Sequence, residues 1–522
     1  MVARFNDAFD VTWHDPEDAK STWALDRIHF ASPLTPLGED YYAEVVRVAW
    51  GGRAAFANGY LYMKDFAPPP TPDEVREMGA KHIWHEKYLP IVKDLCASIR
   101  APDYEAMSAA ELVAGLPEIF RRSADAFRYP TVIATTFMMP ALVLAAFCER
   151  ELGPDGPVLA ATLLQGFANE SAAAGAGLNQ LAVFASSYPA LAAALRNGDG
   201  DGLDRHEGGP EFLQRLHAFL DVYGWRAEEW CMFQHPTWAE DPSIPIRLVG
   251  RYLADPEHSP EAAHQRAVRM RVEAAETIQQ RLAADKQAEF QQLLDAALEH
   301  VPISEERALW QLIAIGSVRV PLLALGRKLV AVNVIEEPDD VFFLRLDETG
   351  PLAAAPGPMQ DAVKQRQAEL EKYEGLEPPI SIGAPFIVAD RPGPSQLVHR
   401  YFFGTLPTPS SATVIKGQAA SQGIVTARAC VVHTLADAAR LQQGEILVCK
   451  TTAPPWTPLF AIAAGVVTET GGILSHSAIC AREYAIPCVV GTHVATSRIP
   501  DGALITVDGS RGTVTLTSLG GS

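Results

Sequence analysis

The stretch from Thr468 to Pro487, TETGGILSHSAICAREYAIP, gathers residue types that can handle an anion. An apolar run, AIAAGVV, enters a Gly471-Gly472 turn, and Ser475, His476 and Ser477 follow, leading into a helix-compatible segment that stops near Pro487. A glycine turn lets backbone N–H groups come close to a ligand, and the first turn of the next helix offers unpaired N–H groups and positive dipole charge. A histidine in that position can carry a phosphoryl group whose oxygens are met by backbone donors and by the Ser475 or Ser477 hydroxyl. Thr470 and Ser475 are the best placed local donors. Spacing alone leaves a second reading open, a helix cap beside a surface histidine.

The elements that must hold this loop fall into two unlike parts. Short β-branched runs (ATVI, IVTARACVV, EILVCK, GVVTE, PCVVG, ALITV, GTVTL) alternate with turns beyond residue 412, predicting a compact α/β (β/β/α) domain over 413–522. Proline and glycine crowd 374–412, which reads as an extended connection. Residues 1–373 read as mainly helical. The expected helices are Tyr104 to Ala114, Pro140 to Glu149, Pro157 to Tyr188 with a break near its glycines, a charge-rich stretch around 262–299, and a more apolar one from Leu309 to Val332. The small residues Ala172, Ala173, Ala174 and Gly175 allow close helix packing or leave room for a ligand. Near the start, Asp15-Pro16 suits a helix start, and Pro33 and Pro36 are expected to end that helix in a rigid loop.

Composition excludes some functions. With 43 Lys plus Arg against 63 Asp plus Glu, the formal charge of −20 argues against general nucleic-acid binding, although a local arginine cluster can still meet phosphate. The run MMPALVLAAF is too short and too close to Glu149 and Arg150 for a membrane span, and the first residues lack the apolar core of a signal peptide. Seven cysteines without CxxC or metal-ligand spacing fit free thiols in a reduced cytoplasm, with Cys480 and Cys488 as small buried filler. No permanent metal site is expected. Neither a GxxxxGK[ST] loop nor a dinucleotide-type glycine loop is present in the sequence.

Residues 413 to 519 resemble the phosphohistidine, or swivelling, domain of the phosphoenolpyruvate-utilising enzymes and dikinase-type phosphotransferases. The resemblance rests on Lys416-Gly417, Ser421, Gly423, GEIL from Gly444, TAPPWTPLF from Thr452, the histidine loop, Gly491-Thr492, and DGALITVDGSRGTV from Asp501. It implies that His476 is phosphorylated in one half-reaction and dephosphorylated by an acceptor in the next, with Gly471, Gly472, Thr470 and Ser475 around it. It also implies a role for Arg482, whose structural alternative is an ion pair with Glu483. Many members swing this domain between two active centres.

A second signature, YGWRAEEWCMFQHPTWAEDP from Tyr223, continues in EEPDDVFFLRLDE from Glu336, and resembles the helical acceptor domain of related enzymes. Trp225, Trp230 and Met232 depart from the antibiotic-phosphorylating members, replacing polar groups with two indoles and a thioether. That favours a flat apolar acceptor, unless the three fill a core. The N-terminal W…D…H…PLTPL pattern resembles the opening of the same domain and adds Asp26, Arg27 and His29 as candidates, together with Arg226 for phosphoryl oxygens. No stretch resembles an ATP-grasp module. The chain is therefore expected to be one subunit of a split enzyme of the phenylphosphate synthase or hydroxyacetophenone kinase type, acting on a small aromatic hydroxyl acceptor in aromatic catabolism. ATP and Mg²⁺ would be handled mainly by a separate ATP-grasp subunit. The alternatives are a phosphoenolpyruvate synthase-like or antibiotic phosphotransferase subunit, as in rifampicin phosphotransferases, or a non-catalytic phosphohistidine carrier.

Overall fold

A computed structural model describes residues 2–6, 9–13, 15–26, 29–30, 32–64, 83–167, 170–198, 200–227, 232–254, 260–376, 378–384, 397, 401, 411, 413–434 and 437–517. Strands β1 (Val2–Asn6) and β2 (Phe9–Thr12) form an antiparallel pair. Strands β3 (Thr22–Leu25), β4 (Arg53–Ala57), β5 (Tyr60–Lys64) and β6 (Ser381–Gly383) form a small sheet in the order β4-β5-β3-β6. Part of the expected 374–412 connection is therefore an edge strand of the first body, with Trp23 opposite Ile382. Between these strands helix α1 (Pro36–Val45) begins at Pro36 instead of ending there. Thr35 caps it, its Oγ1 accepting from the Gly38 N–H at 3.3 Å, and proline fits the first turn because its missing N–H would be unpaired there anyway.

Helix α2 (Leu89–Arg100) precedes α3 (Ala109–Leu152), which absorbs two segments expected to be separate helices. Ser108 and Glu111 form a capping box at its start, and Pro117, Pro130 and Pro140 all lie inside it. Each proline removes one helix hydrogen bond. The helix runs through because its neighbours bury it along much of its length. Next come α4 (Gly156–Thr162), α5 (Glu170–Ser186), α6 (Pro189–Asn197), α7 (Gly209–Tyr223), α8 (Ser243–Ala254) and α9 (Pro260–Arg281). The charge-rich stretch is divided between α9 and the long α10 (Gln287–Ala331), which joins its last part to the apolar stretch in one 45-residue rod packed against α3. Helices α11 (Leu346–Ala354) and α12 (Gln360–Glu374) close this body. Helix α3 and the Glu305–Ala331 part of α10 are long and apolar enough to cross a membrane, but most of that surface is buried inside the protein.

The C-terminal domain is a mixed sheet of eight strands in the order β7-β14-β13-β9-β10-β11-β12-β8. These are β7 (Val414–Lys416), β8 (Gln418–Ser421), β9 (Ile424–Val431), β10 (Ile446–Cys449), β11 (Gly465–Thr468), β12 (Cys488–Val490), β13 (Leu504–Asp508) and β14 (Thr513–Leu516). Strands β9 to β12 run parallel, and both flanks are antiparallel. Between β11 and β12 lies α13 (His476–Glu483), and α14 (Ala495–Arg498) follows β12. The chain is thus a mainly helical domain followed by a compact α/β domain.

The two domains share a core. Leu178, Leu181, Val249 and Tyr252 of the helical domain pack in one cluster with Trp456, Leu459, Phe460 and Tyr484 of the α/β domain. Ile473 and Leu474, from the histidine loop, join Leu142, Leu159 and Leu163 in another. Gly175 is a point of close approach: a Cβ there would lie 2.5 Å from the Tyr484 hydroxyl. The small-residue run in α5 therefore includes a seat for a side chain of the neighbouring domain.

Candidate active site

His476 is the first residue of α13, at the carboxyl end of parallel strand β11, where α/β sheets commonly present their ligand-binding loops. Gly471 makes the turn possible with φ +94°, and a Cβ there would strike Ser475 Oγ at 2.7 Å. The Gly472 carbonyl accepts from the Ser475 N–H at 3.0 Å, leaving Ser475 extended as the N-cap. Its hydroxyl is buried and has no hydrogen-bond partner among the described residues. Thr470 turns its hydroxyl to the Lys450 carbonyl at 3.2 Å, and Ser477 pairs with Thr452 at 2.8 Å.

The imidazole is 10% exposed and faces the helical domain. Its Nε2 lies 3.3 Å from Thr457 Oγ1 and 3.4 Å from Cys480 Sγ. Its Nδ1 lies 3.6 Å from Glu305 Oε2 on α10. Burial pulls the imidazole pKa down, but the Cys480 sulfur and the Glu305 carboxylate outweigh it, leaving it raised to about 10.

Arg226 stands near this carboxylate, only 1% exposed. The Tyr-Gly-Trp-Arg segment is pinned by a bridge between Ala227 and Thr237, with the Trp238 N–H donating to the Arg226 carbonyl at 2.8 Å. Among the described residues its guanidinium makes only long hydrogen bonds, to the carbonyls of Tyr223 at 3.4 Å and Glu170 at 3.5 Å, it packs over the rings of Tyr223 at 4.9 Å and Trp238 at 5.8 Å, and its Nε has no partner. Burial lowers its pKa to about 10, against the pull of Tyr223, Glu170 and Glu305. It therefore remains a cation at neutral pH, with donor capacity to spare for an anion.

Other expected residues lie elsewhere. Arg482 is buried and donates to the carbonyls of Ala420 at 2.8 Å and Ile473 at 2.7 Å, tying the histidine loop to β8. Trp225 is half-buried beside Leu309 and Ile313, with the Arg100 guanidinium 4.9 Å above its ring. Met232 is fully buried in the cluster of Tyr41, Tyr42 and Phe233. Asp26 and His29 form a pair at 2.8 Å against Trp50. Arg27 and Trp230 fall outside the described residues. Two surface hollows of about 290 and 360 Å³ are lined by other residues, among them Arg345 and Tyr373 in one and Arg440 and Asp501 in the other.

The residues that sequence reasoning passed over are Glu305, Arg307 and Gln311 on α10, and Thr457. Thr457 was within reach, since it lies in the quoted TAPPWTPLF segment. The α10 residues offered a weaker signal, polar side chains entering an otherwise apolar helical run, and all three are buried. Among the described residues no group of three or more His, Cys, Asp or Glu converges as a metal set would.

Comparison with known proteins agrees with this architecture. Residues 128–305 match the model of the rifampicin phosphotransferase fourth domain, and residues 441–512 match the mobile domain of PEP-utilising enzymes. A chondramide synthase of Chondromyces crocatus is 30% identical over 97% of this chain and 14% of its own length. An uncharacterised phosphotransferase of Bacillus subtilis is 27% identical over 88% of the chain and 56% of its own. A rifampicin phosphotransferase of Bacillus cereus is 29% identical over 62% of the chain and 37% of its own. The chain thus spans little more than half of these relatives at most. Its two matched domains and these relatives make it a member of the PEP-utilising phosphotransferase family that carries a histidine swivel domain.

Proposed function

We propose that the chain takes a phosphoryl group onto Nε2 of His476 and delivers it to the hydroxyl of a small phenolic or hydroxyphenyl-ketone acceptor. An ATP-grasp partner supplies the phosphoryl group from ATP. The observation that carries this reading is the docked pose of His476, with its ring against the helical domain and the underused Arg226 guanidinium nearby. A group on Nε2 heads toward Thr457 and away from the Glu305 carboxylate, which would repel phosphoryl oxygens placed on Nδ1. Charge develops on the equatorial oxygens during transfer, so positioned donors contribute more than a strong nucleophile. The Ser475 hydroxyl, the first N–H groups of α13 and Arg226 are the donors this chain offers. Mg²⁺, when bound with the nucleotide, supplies charge neutralisation on the partner's side.

The acceptor would lie between the Asp26–His29 element and the Tyr223–Pro242 segment, where Trp225 offers an apolar face and Asp26 or His29 can orient the hydroxyl. A larger hydroxylated macrocycle is the second reading, favoured by the match of residues 128–305 to the rifampicin phosphotransferase fourth domain. Incubation with an ATP-grasp partner, Mg²⁺ and labelled ATP, followed by mapping of acid-labile phosphate, tests the first step. Label is expected on His476 and lost in His476→Ala, and label retained in that variant would defeat the assignment. The chain alone is expected neither to hydrolyse ATP nor to label itself. A panel of phenols, sugars, macrocycles and pyruvate tests the second step, and preference for pyruvate or a sugar would defeat the phenolic reading.

A further inference from the structure

Glu305 and His476 belong to different domains and meet across the boundary between them. The Glu305 carboxylate is 6% exposed, with Oε2 3.6 Å from Nδ1 of His476. Arg226 and Arg307 both feel this carboxylate as an attractive charge, and Glu483 feels it as a repulsive one. Thr457, 3.3 Å from Nε2, and Cys480, whose sulfur lies 3.4 Å from Nε2 and 3.7 Å from Nδ1, belong to the same domain as His476 and travel with it. Glu305 does not travel with it. Whenever the histidine domain leaves this pose, the ring keeps its hydroxyl and sulfur neighbours and loses its carboxylate.

We propose that Glu305 is a positioning residue of the acceptor half-reaction, holding the Nδ1 proton of phospho-His476 only while the two domains are docked. This rests on the phosphohistidine reading above. A carboxylate that holds Nδ1–H keeps the phosphorylated ring protonated and hence a good leaving group. In the transfer the P–Nε2 bond breaks and its electron pair returns to Nε2. The acceptor oxygen forms the new P–O bond, and the hydroxyl proton is released to water. Nδ1 keeps its own proton, so the ring departs as neutral imidazole. Away from the helical domain the same ring lacks this anion and retains its phosphoryl group longer. Discharge is thereby confined to the docked state.

The test loads the full chain with potassium phosphoramidate, a chemical donor that needs no partner, and follows phospho-His476 by ³¹P and ¹⁵N NMR. The wild type is expected to carry its label on Nε2 with Nδ1 protonated. Glu305→Gln should load to the same extent but lose its label to water about tenfold more slowly at neutral pH, with its rate-versus-pH profile moved to lower pH. Glu305→Asp, whose carboxylate is one methylene shorter, should fall between the two. If Glu305→Gln melts at a lower temperature than the wild type, the comparison rests on Glu305→Asp, and no slowing there overturns the proposal. Equal discharge rates and superimposable pH profiles in wild type and Glu305→Gln also overturn it, while leaving the phosphohistidine intact. A wild-type chain that takes no label on His476 overturns the phosphohistidine reading itself, and this proposal with it.

Discussion

The Glu483 carboxylate, at the end of the helix that His476 begins, accepts a hydrogen bond from the Gly166 backbone N–H in the helical domain at 3.0 Å. Arg271 donates to the carbonyls of Gln165 and Gly166 at 3.0 and 2.9 Å, so the same strap is held from both sides. Burial raises the Glu483 pKa from 4.5 to about 7, although the Gly166 N–H and Arg482 work against the shift. Because the docked pKa lies above that of the free carboxyl, the docked state binds more protons between those values. Docking is therefore strengthened as pH falls through 7 and weakened as it rises, by about 3 kcal/mol at most. Energy transfer between dyes on Val183→Cys and Ile424→Cys, both exposed positions, should report more docked chain at pH 6 than at pH 8. Glu483→Gln should flatten that dependence, and an unchanged pH response in the variant would count against the latch.

Arg226→Met should slow transfer to the acceptor by roughly 100-fold or more, the loss of one positioned donor being about 2.7–4 kcal/mol. Arg226→Lys keeps a charge but loses the planar fork and should recover only part of the rate. If the proposed ATP-grasp partner loads His476 away from this arginine, labelling should change little in either variant. Single-turnover rates of the two half-reactions, measured separately, decide the matter.

Gly471→Ala places a Cβ 2.7 Å from Ser475 Oγ and 2.8 Å from Ser475 Cβ at a backbone φ of +94°. The strain is of order 1–3 kcal/mol and is expected to displace the start of α13. Phosphohistidine formation should fall sharply. Adding Ser475→Ala should not restore it, because the second contact is to a Cβ that alanine keeps. Restoration would show that only the hydroxyl was obstructed.

Trp225→His shrinks the apolar surface that lies under Arg100 and beside Gly316, where a Cβ would come within 3.2 Å of the indole. Use of a simple phenol should weaken, as a rise in KM, more than labelling of His476. Equal loss of both half-reactions would remove Trp225 from the acceptor site.

The shape of the histidine loop was legible because it is local, with a glycine turn, a cap residue and a histidine within a few residues, while its phosphoryl role came only from the resemblance. The helix boundaries were less so. Tyr104 to Ala114 and Pro140 to Glu149 read as separate helices, yet α3 runs through Pro117, Pro130 and Pro140 because burial against α10 outweighs the lost hydrogen bonds. Pro36 reads as a stop, whereas its place after Thr35 makes it a start. Glu305 could not be paired with His476 from sequence, since their meeting depends on how two domains dock. Arg482 was legible as a functional residue only by resemblance, and its guanidinium proves to tie backbone carbonyls.

Glu305, Gln311, Ser317 and Arg319 all ride on the uninterrupted rod of α10, and Arg319 anchors to Glu240 at 2.9 Å and to Asp339 at 3.2 Å. The step from Glu305 to Arg319 is about 21 Å along the axis, fixed by the helical rise. Such a rod behaves as a keyed shaft. Loss of one residue between the two positions turns the Glu305 end by about 100° relative to the anchored end, carrying the carboxylate off the histidine without unmaking the helix. Point changes around Asp26, His29 and Trp225 leave that phasing untouched, so the proposed acceptor site can vary while the meeting of Glu305 with His476 stays in register.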